Sequence, residues 1–302
     1  MTRVAVATGD APKTFAAVAA ALAAAGADVQ WDVVSGDPVP AIRAAGLGFV
    51  VPARWTGSGL PPAVKLRKDL GVFAQHRPVT TLPGLPSRHG AIDLLLVRET
   101  TEDVYAHLEH ESVPGVFESL KVTTRAATER IARHAFEAAR AQGRKKVTVV
   151  HKSNIMKLSD GMFLRVCQEV GREFPEITTD EVIVDALCMK LVLTPGKFDV
   201  LVSGNLYGDI LSDLCAGLVG GGANTPAVNF APGAVVFTSA HGDAPDVDGT
   251  DVANPLPILL PALLLLEHAG QAAVAAKVRS ALAAAFAAGV RPGPALLSRL
   301  SG

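Results

Sequence analysis

The chain has 302 residues, 49 % of them hydrophobic and 19 % charged, with a formal net charge of -1. It is long enough for a large core in two lobes and too apolar for a disordered protein. It lacks the basic excess that binding to nucleic acid or an anionic membrane would need, so neither partner is expected. Cys167, Cys188 and Cys215 stand singly, without a C-x-x-C pair for zinc or redox work. Cys167 and Cys215 sit among apolar neighbours and read as buried thiols in a reducing compartment. Met1 runs straight into a strand-like segment, with no signal peptide pattern. The apolar stretch Pro255–Leu266 is too short to span a bilayer and reads as a buried helix. A cytoplasmic location is the expectation.

In chain order, Val4–Ala7 reads as a strand, Ala16–Ala25 as an alanine-rich helix and Val29–Val34 as a strand. Ile92–Val97 is a strand, Thr124–Ala141 a long amphipathic helix, Lys146–Val150 a strand and Ser159–Glu173 a helix. Asp180–Leu187 and Val200–Ser203 read as strands and Ile210–Val219 as a helix. The turn-rich Val219–Pro226 follows, then an alanine- and leucine-rich helical tail. Alternation of this kind predicts an α/β architecture with a mostly parallel or mixed sheet. No G-x-G-x-x-G joins a strand to a helix; Gly220-Gly-Gly222 lacks the spacing and follows a helix.

The segment Asn205-Leu-Tyr-Gly-Asp-Ile-Leu-Ser-Asp213 places Asp209 and Asp213 four apart on one helix face. Such a pair fits either a solvated helix surface or a site for Mg²⁺ or Mn²⁺, whose preferred ligands are carboxylate oxygens. Arg67, Arg77 and Arg98 read as surface arginines or as a receptor for carboxylates, which guanidinium groups bind bidentately. Tyr105 is a phenol able to relay a proton. Lys152 and Asn154 follow a strand, at the end where α/β ligand sites form. His241-Gly-Asp-Ala-Pro-Asp246 is a turn with an acid at its far end, followed by Asn254.

Together, Arg98-Glu-Thr-Thr-Glu-Asp-Val-Tyr105, His151-Lys-Ser-Asn-Ile-Met156, the Asn205–Asp213 segment and the His241–Asp246 turn resemble the isocitrate/3-isopropylmalate dehydrogenase family, the metal-dependent β-decarboxylating dehydrogenases. The resemblance runs from about Leu66 to Gly270 and is closest in wording to NAD-dependent isocitrate dehydrogenases. It implies that family's fold, two α/β lobes with a central cleft. Residues 1–93 with 226–302 would form the cofactor-binding lobe, and 94–225 the dimerisation and metal/substrate lobe. It also implies NAD and Mg²⁺ or Mn²⁺ as cofactors and a homodimer, or a multiple of one, with shared active sites. Arg67, Arg77 and Arg98 would hold substrate carboxylates, and Asp185, Asp209 and Asp213 the metal. Lys152 would take part in removing the hydroxyl proton and Tyr105 in protonating the enol carbon. Lys152 and Asp185 would come from the neighbouring subunit. Asn154, His241, Gly242, Ala244, Asp246 and Asn254 would bind NAD, and Asp246 would repel the 2′-phosphate of NADP.

The chain departs from the family in three places. The N-terminal glycine-rich loop is reduced to Thr8-Gly-Asp-Ala-Pro12, with further shortening between about Gly36 and Val50. Thr238 and Asp243 replace the usual Glu and Ser/Thr around His241. Pro61 and Ala63 stand where isocitrate enzymes carry the serine and asparagine that bind the γ-carboxylate. The expected reaction is therefore NAD-dependent oxidative decarboxylation of a (2R)-2-hydroxy-3-carboxy acid with a small or apolar γ-group, or of a specialised metabolite. The alternatives are an isocitrate dehydrogenase and a non-catalytic regulatory subunit of one.

Overall fold

Leu94–Val97 and Val200–Val202 are apolar at every position, the mark of strands covered on both faces, and the computed structural model pairs them in parallel. It describes residues 1–55, 57–85, 87–239 and 245–300. These fall into two units, one of Met1–Leu70, Thr81–Arg88 and Val219–Gly302, the other of Gly71–Thr80 and His89–Leu218.

In the first unit β1 (Thr2–Ala7), β2 (Val29–Val33), β3 (Leu47–Val50), β11 (Pro226–Ala231) and β12 (Ala234–Ser239) lie in the order β2-β1-β3-β12-β11. Neighbours are parallel except in the β11–β12 hairpin. The helices are α1 (Pro12–Ala24), α2 (Val39–Ala45), α3 (Pro62–Leu70), α8 (Leu256–His268), α9 (Ala272–Ala287) and α10 (Pro294–Leu297). The apolar stretch at Pro255 is the buried helix its sequence predicts: α8 is apolar almost all round and packs against α1, α9, β11 and β12. Phe15, Trp31 and Phe49 close the same core, with ring centroids 5.5 to 5.7 Å apart.

In the second unit β4 (Ala74–Thr80), β5 (Asp93–Glu99), β8 (Lys146–His151), β9 (Thr178–Ile183) and β10 (Val200–Ser203) lie in the order β4-β5-β10-β8-β9. Only β4 is antiparallel to its neighbour. A separate hairpin, β6 (Glu109–Val113) and β7 (Val116–Ser119), stands apart from this sheet. The helices are α4 (Arg125–Ala141), α5 (Ser159–Gly171), α6 (Val184–Leu193) and α7 (Asn205–Leu218). Thr124 caps α4 through its hydroxyl, 3.2 Å from the Ala127 N–H. Ile131, Ala132, Ala135, Phe136 and Ala139, at helical spacing, are fully buried, and α4 packs against β5, β8 and β10.

Three sequence expectations change. Asp180–Leu187 is not one strand, because the helix α6 begins at Val184. The tail after Pro226 does not start as helix: β11 and β12 are joined at Pro232-Gly233, where Gly233 has φ 75°. Residues 71–80 pack within the second unit, since β4 pairs with β5 along its whole length. Among the described residues no helix is long and apolar enough to cross a membrane. Burial pushes the Cys215 thiol up to about 12 and raises Cys167 as well, so neither is a thiolate at neutral pH.

His76 on β4 and His134 on α4 meet Nε2 to Nε2 at 2.9 Å. Burial pushes His76 down to about 3 and His134 to about 4, both from 6.5. The folded pair is neutral while the unfolded chain takes up protons below about pH 6.5, so stability is full above that pH and falls as pH drops toward 4. Between about pH 7 and pH 5 the loss is expected to reach roughly 2 kcal/mol per imidazole. Urea unfolding at the two pH values checks this; the His76→Phe/His134→Phe double variant should show a smaller difference between them.

Candidate active site

The parallel strands β5, β10 and β8 end together, since Ser203 pairs with both Arg98 and Val150. Arg98, Asn205 and the His151-Lys152 turn therefore gather at the carboxyl ends of three adjacent strands, the usual position of an α/β site. Arg98 is completely buried. Its Nε and Nη2 donate to the Asn205 side-chain carbonyl at 2.9 and 2.7 Å, and its Nη1 donates to Asp209 Oδ1. Tyr105, in a short 3₁₀ turn at Val104–Ala106, donates its hydroxyl to Asp209 Oδ2, and the Arg98 guanidinium lies 5.2 Å from its ring centroid.

Asp209 is thus held by a cation on one oxygen and a phenol on the other. Tyr105 is raised above the ordinary phenol value, first by burial and then by its hydrogen bond to Asp209, with Arg98 opposing. It is a neutral proton donor across the physiological range. Asp213 lies one turn further along α7 and is exposed, so both carboxylates project from one helix face.

A second cluster forms around Lys152, whose Nζ donates to Asp185 Oδ1 at 2.6 Å at the first turn of α6. That hydrogen bond is the main cause lowering the Asp185 carboxyl below its usual range. Among the described residues no three His, Cys, Asp or Glu side chains converge as metal ligands, so Asp185 does not join Asp209 and Asp213 within one chain. The hard oxygen pair on α7 suits a divalent cation as part of a set, with the remaining ligands from elsewhere.

Register brings Arg77 and Arg98 to one face of the β4–β5 pair, because Gln75 lies opposite Arg98 and Arg77 is two residues along. Arg77 is buried and its Nε donates to Gln75 Oε1 at 3.1 Å. Arg67 lies in the last turn of α3, in the first unit. Asn154 is exposed in the turn after β8. Asp246 is exposed in a 3₁₀ turn, and the Asn254 side chain accepts the Leu256 N–H at 3.0 Å at the start of α8. His241, Gly242 and Ala244, with Asp243, lie outside the described residues.

Sequence reasoning assigned no role to Asn205, Asp103 or Asp160. Asp160, buried on α5, accepts Lys121 Nζ at 2.6 Å and the Lys152 N–H at 2.7 Å, and so fixes the backbone under Lys152. A polar residue opening an apolar helix was the available signal for Asn205; nothing in the spacing marked the other two.

A buried guanidinium paired with a helix-borne carboxylate where parallel strands end marks an α/β protein with a charged site at that edge. Residues 16–296 match the family model for isocitrate/isopropylmalate dehydrogenase. The chain is 48 % identical over 225 residues to the mitochondrial NAD isocitrate dehydrogenase catalytic subunit 5 of Arabidopsis thaliana, covering 74 % of this chain and 60 % of that protein. It is 46 % identical over 228 residues to the chloroplastic 3-isopropylmalate dehydrogenase of Solanum tuberosum, covering 75 % and 64 %. The crystal structure of isocitrate dehydrogenase from Methylococcus capsulatus matches with a TM-score of 0.91 at 34 % identity, over 100 % of both chains. The chain belongs to the isocitrate/isopropylmalate dehydrogenase family and has its fold. It spans less than two thirds of the length of the two plant relatives.

Gly208 lets α7 lie directly on Arg98: a Cβ there would sit 2.6 Å from Arg98 Cγ and 2.9 Å from Ser203 Oγ. A Cβ on Gly217 of the same helix meets nothing within 4 Å. Gly208→Ala is therefore expected to cost about 1–3 kcal/mol of stability, and Gly217→Ala to gain up to about 1 kcal/mol. Urea denaturation of the two variants checks the opposite signs.

Proposed function

We propose that the chain is an NAD-dependent oxidative decarboxylase of a (2R)-2-hydroxy-3-carboxy acid, acting with Mg²⁺ or Mn²⁺ as a homodimer with shared sites. The observation that carries this is the Arg98–Asp209–Tyr105 cluster, which puts a carboxylate receptor, a cation ligand and a neutral phenol within one hydrogen-bonded unit. Asp185, Asp209 and Asp213 would hold the cation, which would supply Lewis-acid polarisation, and NAD would supply the hydride acceptor.

The chain's own groups supply the remainder. Arg67, Arg77 and Arg98 bind and orient the substrate carboxylates, Arg98 by exchanging the Asp209 carboxylate for one of the substrate's. Lys152 takes part in removing the hydroxyl proton, and after CO₂ leaves, Tyr105 Oη supplies a proton to the carbon from which it departed. Asp209 and Asp213 hold the cation from one copy and Asp185 from the other, which accords with the two separate clusters in one chain. The exposed Asp246 carboxylate suits a ribose diol and repels a 2′-phosphate, which supports NAD over NADP. Asn154 would lie by the nicotinamide and Asn254 by the adenine.

A second copy also accounts for the apolar surface of the second unit. Val113, Val116, Phe117 and Leu120 of the β6–β7 hairpin and Met189 and Leu193 of α6 are all exposed, Phe117 by 77 %. Phe117→Asp is expected to shift the protein toward monomer on size-exclusion chromatography and to remove activity, with the far-UV circular dichroism unchanged.

Substrate choice rests on α3. Ala63 and Val64 share a helix face with Arg67, while Lys65 is drawn to Asp69 by an (i, i+4) ion pair. A third carboxylate beside Ala63 and Val64 would be desolvated without a partner, at a cost of a few kcal/mol. A small or apolar γ-group fits better, with isocitrate as the alternative that two of the relatives are named for.

NADH formation with Mn²⁺ across isocitrate, 3-isopropylmalate, D-malate, tartrate and homoisocitrate tests the reading, with Lys152→Met as the blank. One responding substrate, silent in the blank, is the expected result and identifies the γ-group. Silence on all five with NAD still bound directs the search to a specialised metabolite. Silence without NAD binding overturns the reading in favour of a regulatory subunit.

A further inference from the structure

The geometry points to Asp103 as the positioning residue that sets Tyr105 against Asp209, an inference that rests on the reaction proposed above. Asp103 lies two residues before Tyr105 and is 3 % exposed. Its backbone, at φ 77° and ψ -151°, occupies a region that glycine alone adopts without strain. A non-glycine residue persists there only when its surroundings hold it, and five hydrogen bonds do so.

The main chain of Asp103 bridges to Val122, its N–H donating at 2.9 Å and its carbonyl accepting at 3.4 Å. The same carbonyl accepts the Ala106 N–H at 3.3 Å, closing the turn that carries Tyr105. Its carboxylate divides between two elements: Oδ1 accepts the Val104 N–H at 2.8 Å and Oδ2 the Leu206 N–H at 3.1 Å. Val104 opens the tyrosine turn and Leu206 is in the first turn of α7, the helix of Asp209. One side chain thereby sets the distance between the phenol and the carboxylate it meets. A parallel tie, from Asn205 Nδ2 to the Glu102 carbonyl at 3.1 Å, fixes the same two segments one residue earlier.

Both donors to the Asp103 carboxylate are backbone N–H groups, and one belongs to a helix N-terminus, where negative charge is favoured. Each substitution then removes a different part. Asp103→Asn keeps the shape but turns an NH₂ toward one of the two N–H donors, so one tie survives. Asp103→Gly relieves the backbone and removes both ties. A role in folding alone predicts that glycine is benign here; the positioning role predicts that it is the worst variant for Tyr105.

The test uses the full-length protein labelled with 3-fluorotyrosine. The chain has two tyrosines, so Tyr207→Phe assigns the Tyr105 ¹⁹F resonance. Asp103→Gly is expected to move that resonance to the solvent-exposed position while thermal unfolding stays cooperative, and Asp103→Asn to move it part of the way. On a substrate found active, kcat should fall on the order of 10²-fold in Asp103→Gly, with the KM for NAD within about twofold and partial recovery in Asp103→Asn. An unmoved Tyr105 resonance in Asp103→Gly overturns the proposal. So does a KM for NAD that rises in step with the fall in kcat, and so does failure of both variants to fold. Should no substrate respond, the ¹⁹F shift still decides the positioning role separately from the reaction.

Discussion

A guanidinium without access to water must be matched by charge and by hydrogen-bond acceptors, and the arrangement around Arg98 follows from that requirement. Its two principal acceptors, Asn205 and Asp209, are four residues apart on α7, so one planar fork reaches both along a single helix face. This fixes the rotation of α7 about its axis and, one turn on, the direction of Asp213. The helix can approach closely only because Gly208, between the two acceptors, has no side chain. Strand end, glycine and helix face thus solve one electrostatic problem, and the carboxylate pair is aimed as a consequence.

Within one chain the chemistry is divided. Tyr105, Arg98 and Asp209 satisfy one another, and Lys152 satisfies Asp185; each cluster is stable as it stands. Groups that neutralise each other internally are poor reagents until an outside ligand competes for them. In each cluster a carboxylate holds the guanidinium, ammonium or phenol that the proposed reaction needs, so a ligand competing for those carboxylates would free the donors. The exposed apolar hairpin β6–β7 lies in the same unit as both clusters.

Much of this was legible in the sequence, for identifiable reasons. Strand–helix alternation gave the α/β class because buried parallel strands are apolar throughout and the helices are amphipathic. The spacing of Asp209 and Asp213 gave the shared face because it is a property of any helix. The hairpin β11–β12 was passed over in favour of the alanine- and leucine-rich helical tail that follows it, although Asn229-Phe-Ala-Pro-Gly-Ala234 contains its turn. Asp103 was illegible: an acid followed by valine and tyrosine gives no hint of a positive φ, which exists only because residues more than a hundred positions apart are tied there. Nor could spacing show that Arg98 meets an internal carboxylate, since burial is set by the whole sheet.

The missing dinucleotide fingerprint also has a physical basis in the structure. In the ordinary arrangement the first strand–helix turn leaves open N–H groups, which receive a pyrophosphate at the positive end of the helix. Here β1 leads to α1 through Gly9, at φ 50°, packed against the Val51 and Pro52 carbonyls. The first-turn donors of α1 are already taken: Lys13 N–H and Thr14 N–H donate to the Asp248 carboxylate at 3.1 and 2.8 Å, and the Thr14 hydroxyl does so at 2.6 Å. The chain supplies its own anion to that helix end, and these hydrogen bonds hold the Asp248 carboxyl below its usual range against the opposing effect of burial. A phosphate placed there would meet a carboxylate instead of bare N–H groups. Any dinucleotide must then be read elsewhere, and the same contact anchors the turn that carries Asp246, two residues before Asp248, to the start of α1.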